Sequence, residues 1–147
     1  MTLRTAHGHH KAETVEDLKS WMRALSGCPS IDRVVTARCE RPVHGDEPGT
    51  WFYVESDARE GVARLRCLGC ADMTPVLDSA ERWNFPAMWS CGDCSQSIAE
   101  VAYGVHVDDT MATWMAVGVR CVECSSVSGL TDFVLPGVPV DAFVDAL

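Results

Sequence analysis

Two periodicities divide the chain. Between residues 14 and 25 apolar side chains recur at helical spacing, as Val15, Leu18, Met22 and Leu25 with Trp21 on the flank. Residues three and four apart share one helix face. Thr14 followed by Asp17 resembles a capping box with Asp in place of the usual Glu, and Gly27 supplies a stop. Beyond it the period becomes two. Residues 33–39, 50–56 and 61–67 alternate and are rich in β-branched and aromatic side chains, with turn residues between them at 42–49 and 57–61. That pattern predicts a three-stranded meander. Residues 71–90 read as irregular, punctuated by Pro75, Asp78, Asn84 and Pro86. Alternation resumes at 97–107 and 111–120 around Asp108-Asp109-Thr110, and 127–135 reads as a further strand. Residues 140–147 suit a short helix, opened by Pro139 and Asp141. The expected class is mostly β: antiparallel sheets, an N-terminal helix and a short C-terminal one.

Cysteine changes this picture most. Six of the eight cysteines form Cys-x-x-Cys pairs, Cys67/Cys70, Cys91/Cys94 and Cys121/Cys124, while Cys28 and Cys39 stand apart. Two thiolates separated by two residues curl around one metal ion without strain, and two such pairs complete the tetrahedral sulfur shell that Zn²⁺ prefers. Scattered cysteines mark disulfide-stapled secreted domains, whereas tight pairs mark metal or redox work inside cells. With no apolar N-terminal run suited to a signal peptide or membrane span, the expectation is a cytoplasmic protein with reduced thiols.

The second and third pairs flank a hairpin almost symmetrically about Asp108-Asp109, so the ends of the hairpin bring them together. Knuckle, hairpin and knuckle over residues 88–126 resemble the zinc-ribbon class. The resemblance implies one closed Zn²⁺ site held by Cys91, Cys94, Cys121 and Cys124, and it implies no particular function. Cys67 and Cys70 need other partners. In a meander Cys39 and Cys67 finish at the same sheet edge, and the loop 42–49 at that edge carries His44. This favours Cys39, His44, Cys67 and Cys70 as a second site, hence two zinc ions per chain. Cys28 is then a buried free thiol, or the ligand in place of His44. A competing scheme joins Cys67/Cys70 to Cys91/Cys94, although the Pro-containing segment between them does not read as a hairpin. Arg66-Cys67 and Arg120-Cys121 also open a weak internal repeat.

Four protein ligands leave zinc no open position, so such sites stabilise folds. A hydrolytic zinc enzyme needs an open position and a base. The His-x-Glu and Pro-Cys-x-x-Cys of zinc deaminases are both missing from the sequence. Thioredoxin-like chemistry at Cys91–Cys94 requires a helix starting there to lower the thiol pKa. Ser97, Glu100 and helically spaced Ile98, Val101, Ala102 and Val105 permit one, but the same stretch fits a strand.

The formal net charge of -9 opposes general phosphate binding. One local exception stands out, since alternation places Arg38, Arg64 and Arg66 on one face around Trp51 and Tyr53, a combination able to stack bases. Ordinary cross-strand packing, with Glu40 and Glu55 neutralising the arginines, explains the same pattern. Residues 82–89, with Trp83, Phe85, Met88 and Trp89, suit either a protein-binding surface or a cover for the core. His7, His9 and His10 fall in a polar stretch read as a disordered leader over 1–13, with residues 14–147 as one domain. The sequence therefore points to a non-enzymatic zinc protein that binds another protein. By fold-level analogy it is a regulator in the transcription or translation machinery. Nucleic-acid binding and thiol redox chemistry are the alternatives, and no membrane role is expected.

Overall fold

The computed structural model of the chain describes residues 4–6, 9–25 and 29–147. The expected stop at Gly27, the free thiol Cys28 and His7 lie outside these residues. In chain order the elements are β1 (Arg4–Ala6), β2 (His9–Lys11), α1 (Val15–Arg23), β3 (Arg33–Thr36), β4 (Phe52–Asp57), β5 (Val62–Cys67), β6 (Met73–Pro75), β7 (Ala99–Asp108), β8 (Met111–Cys121), β9 (Val127–Pro139) and α2 (Val140–Asp145). A single 3-10 turn covers Pro42–His44. The mostly β, antiparallel class is the one observed. No described helix is long and apolar enough to cross a membrane.

β1 and β2 pair as a small ribbon, and the remaining strands form one sheet in the order β6-β5-β4-β7-β8-β9, with β3 also on β7. The expected three-stranded meander is not what forms. β4 and β5 are a hairpin, but β3 pairs with β7, from Arg33 opposite Val105 to Thr36 opposite Ala102. The reason lies in β7. It is ten residues long, and β4 meets it only where Phe52 faces Ala99. The rest of that edge is open, and β3 fills it. Alternation announces a strand and its buried face, but not its neighbour.

β7 is central and buried on both faces. Val101, Tyr103 and Val105 join the main core with Phe52, Val54, Leu65, Met115 and Phe133. Ala102 faces the opposite side, in a smaller cluster with Leu18 and Met22 of α1, Val34 and Val127. Thr14 caps α1 as expected, its hydroxyl accepting from the Asp17 amide at 3.2 Å. Of the predicted helix face, Leu18 and Met22 are buried, while Leu25 lies past the helix end and is exposed. Met22 enters a slot left by two glycines. A Cβ on Gly118 would fall 2.8 Å from Met22 Sδ, and one on Gly104 3.0 Å from Met22 Cε.

The segment read as irregular is held by buried polar bonds. Ser79 is fully buried; its hydroxyl accepts from Ala63 N (3.0 Å) and donates to Val76 O (2.5 Å). At the N-terminus, β1 and β2 pair within the stretch expected to be a disordered leader, and Lys11 and Ala12 are buried. At the β7–β8 turn, Asp109 and Thr110 both take positive φ (48° and 71°). This is the doubly left-handed form whose twist matches a two-residue hairpin.

Truncating the helix plug empties the glycine slot. Met22→Ala is expected to lower unfolding free energy by about 2–4 kcal/mol in urea denaturation followed by far-UV circular dichroism.

Candidate metal centres

Three segments with little in common besides their cysteines adopt one backbone shape. In each, the first cysteine's carbonyl accepts from the residue just after the second cysteine: Ala71 N to Cys67 O (2.8 Å), Ser95 N to Cys91 O (2.8 Å) and Ser125 N to Cys121 O (2.9 Å). The first cysteine's own amide donates one residue further on, to Asp72 O, Gln96 O and Ser126 O at 2.9, 2.7 and 2.8 Å. Ala71, Ser95 and Ser125 all sit at left-handed φ, 62°, 66° and 68°. Such a conformation costs a residue with a Cβ about 1–2 kcal/mol. The reversal turns both thiols of a pair to the same side.

Two sets of four donors result, with the ligand atoms of each set within 4.8 Å of one another: Cys39, His44, Cys67 and Cys70, and Cys91, Cys94, Cys121 and Cys124. The Sγ atoms of Cys39 and Cys70 are 3.6 Å apart, and those of Cys91–Cys124 and Cys94–Cys121 3.5 Å. A disulfide is about 2.05 Å. A tetrahedron with metal–sulfur distances near 2.3 Å has edges of about 3.8 Å. The donor sets therefore fit a metal ion, and both groups can hold one. The scheme joining Cys67/Cys70 to Cys91/Cys94 does not occur.

The sheet places both centres. Cys67 faces Phe52, Phe52 faces Ala99, and Ala99 faces Cys121. The first cysteines of two knuckles thus lie in one row across β5, β4, β7 and β8, each at the end of its strand. Three strand spacings separate them, about 14 Å. Cys39 reaches the first centre without meander pairing. Its amide and carbonyl exchange hydrogen bonds with Gly49 (2.7 and 2.9 Å), closing a loop whose 3-10 turn delivers His44. His44 Nε2 lies 3.4 Å from Cys67 Sγ. Space for the imidazole depends on glycine: a Cβ on Gly49 would stand 2.8 Å from Cys67 Sγ, and one on Gly69 3.1 Å from His44 Cε1.

The second centre has a surrounding that the sequence reading missed. Lys11, 6% exposed, donates its ammonium to Asp93 Oδ2. Ser126 Oγ also donates to that oxygen at 3.0 Å and lies 3.4 Å from Cys124 Sγ. Asp93 sits inside the Cys91–Cys94 knuckle, where an unpaired carboxylate would repel thiolates, and Lys11 neutralises it. Arg120 fastens the same strand end. It donates to Ala12 O (2.7 Å), Glu13 O (2.8 Å) and the Glu100 carboxylate (2.5 Å). Ala12 N donates to Ser125 O at 2.8 Å. The chain leading into α1 is thereby strapped across the third knuckle. The available sequence signal was that Lys11 is one of only two lysines, with Lys19.

Thiol acidity is uneven within each set. Burial pushes Cys39 up to about 11 and Cys121 up to about 12. Burial also opposes charge on Cys67 and Cys124. Backbone amides of Cys70 and Gly69 nevertheless bring Cys67 below the ordinary thiol value. Hydrogen bonds from Ser126 and the neighbouring thiols bring Cys124 down to about 6. Each centre thus sets a thiol of lowered pKa beside one of raised pKa, and the raised one must lose its proton for a cation to bind.

The helix required for thioredoxin-like activation of Cys91 is absent, because β7 occupies Ala99–Asp108. The arginine–aromatic face is partly spent. Arg64 makes two bonds to Glu55 (2.9 and 3.2 Å) and lies over Trp83 at 4.2 Å. Arg38 lines a separate hollow with Lys19, Val34 and α2 residues. Arg66 stays exposed over Tyr53 at 5.7 Å, and Trp51 is half exposed. In the aromatic segment Trp89 packs on the core, whereas Phe85 is 83% exposed.

Two substitutions separate the centres. Gly49→Ala is expected to remove metal from the first set and leave the second loaded, read as loss of about half the metal by elemental analysis. Lys11→Met is expected to weaken the second set by about 10–100-fold in chelator competition and leave the first unchanged. Compared with protein-family models, curated proteins and solved structures, the chain has no significant match, so its functional reading rests on its own residues.

Proposed function

We propose that the chain is a non-enzymatic zinc protein, with two closed structural zinc sites supporting a protein-interaction module of zinc-ribbon type. The observation that carries this reading is the pair of four-donor sets, one Cys₃His and one Cys₄, each filled entirely by the protein. Zn²⁺ favours this sulfur and imidazole chemistry in a tetrahedral shell. A closed shell has no position for a substrate or activated water, so the ion's contribution is to folding. Magnitudes agree with that role. Three left-handed turns cost several kcal/mol together at about 1–2 kcal/mol each, whereas structural zinc binding in small domains is worth about 10–16 kcal/mol. Net charge supports a protein partner over a nucleic acid.

Arg66 over Tyr53, beside half-exposed Trp51, supports a second reading, single-stranded nucleic acid stacked on that face. It predicts binding that weakens steeply with salt and is lost in Arg66→Glu.

The deciding measurement is metal and thiol content of anaerobically purified protein. Two zinc per chain, with the six paired cysteines and Cys39 shielded from alkylation until chelator is added, is the expected result. Chelation is expected to abolish the cooperative unfolding transition. Absence of zinc, with a Cys91–Cys94 disulfide that cycles, would replace this reading with thiol redox chemistry.

A further inference from the structure

Away from both metal centres, a hollow of about 710 Å³ lies between the outer strand β9 and the 77–82 turns, with α2 at its end. Its floor is apolar. Leu77, Leu135, Val138 and Phe143 line it, and Val134 projects into solvent at its margin, 89% exposed. Together these side chains make a contiguous apolar surface rimmed by polar groups, the kind that marks an interaction site where a lone exposed valine would not.

The rim is acidic on balance: Glu60, Asp78, Glu81 and Asp132 line the groove against one arginine, Arg82. Among the described residues Glu60, Glu81 and Asp132 form no ion pair, although Arg82 attracts both Glu60 and Glu81 through space. Asp132 accepts the Trp114 indole N–H, at 3.2 Å. Arg82 is largely engaged by the protein itself. Two of its bonds go to the Asp78 carboxylate (2.9 and 2.8 Å), and two more to Glu60 O and Gly61 O, each 2.7 Å. Arg82 thus staples the 78–82 turn to the β4–β5 turn, with four of its five N–H donors spent on that contact. Gly61 itself stands close to β9, since a Cβ there would lie 3.3 Å from Asp132 O.

From this complementarity we propose that the groove docks a cationic amphipathic segment of a partner protein. Its apolar side chains cover Val134, Leu135 and Phe143, and its lysine or arginine side chains meet Glu60, Glu81 and Asp132. The rim repels phosphate backbones and anionic lipid surfaces, which leaves a peptide as the occupant. Simple strand addition to β9 is disfavoured, because Pro136 lacks an N–H and Gly137, at φ 84°, breaks the edge. Side chains seated in the groove therefore carry the contact. This inference deepens the interaction-module reading and rests on it.

The test is selection from a random peptide library on the immobilised, zinc-loaded full chain, followed by fluorescence anisotropy with the selected peptides. The expected consensus combines apolar with Lys or Arg positions. Val134→Arg places a cation on an exposed site and leaves the core untouched, so zinc content and thermal midpoint are expected to stay unchanged. Its affinity for the selected peptides is expected to fall about tenfold or more. Glu81→Gln is expected to weaken binding and flatten its salt dependence. Peptides without basic positions, peptides insensitive to Val134→Arg, or no enrichment at all would overturn the groove assignment. Two zinc per chain with no peptide binding rejects only this inference. Absence of zinc rejects the module reading itself.

Discussion

Both metal centres hang on one row of residues across the sheet: Cys67, Phe52, Ala99 and Cys121. A strand that ends in a cysteine brings its knuckle to a defined point only if the strand is fixed in register, and register here is fixed by burial. Phe52, Ala99 and Cys121 are all 3% exposed or less. Slipping any of these strands by one residue would turn its whole buried set outward. The apolar core therefore aims the thiols. A metal ion bound at the knuckles would in turn hold three left-handed turns that the backbone alone disfavours.

The two centres are built differently on this common frame. The first is compact and glycine-dependent, with His44 inserted where Gly49 and Gly69 leave room. It has an imidazole where the other has a fourth thiol. The second is all-sulfur, and Lys11 and the hydroxyl of Ser126 both bond the Asp93 carboxylate that sits within its Cys91–Cys94 knuckle. Since Ala12 and Glu13 bond to Arg120, and Ala12 also to Ser125, the start of α1 and the third knuckle form one hydrogen-bonded unit. The helix then plugs the glycine slot of β7 and β8, so the N-terminal segment connects the second centre to the smaller hydrophobic cluster.

With the metal donors gathered at one end of the sheet, the opposite flank is free to carry a surface. The groove along β9 and the half-exposed Trp51 beside Arg66 are separate from each other in chemistry, one acidic and apolar, the other basic and aromatic. Arg64, which the alternating pattern placed with Arg66, is drawn away by Glu55 and Trp83. Cross-strand pairing thus narrows the basic face.

Local chemistry was legible in the sequence alone. The Thr14 cap and the Leu18–Met22 face, the β7–β8 hairpin, the mostly β class and the three Cys-x-x-Cys pairs each depend on residues close together in the chain. The grouping of Cys91 and Cys94 with Cys121 and Cys124 was also readable, because a symmetric hairpin brings its own ends together. Cys39 and His44 were placed correctly beside Cys67 and Cys70, but from a meander that does not form; the Cys39–Gly49 bridge does that work instead. The left-handed turns at Ala71, Ser95 and Ser125 carried no glycine to announce them. What only the tertiary structure decided was which strand lies beside which, that Lys11 belongs to the second centre, and where the groove opens. Those outcomes follow from contacts between residues far apart in the chain, and periodicity reports a residue's face without naming what will pack against it.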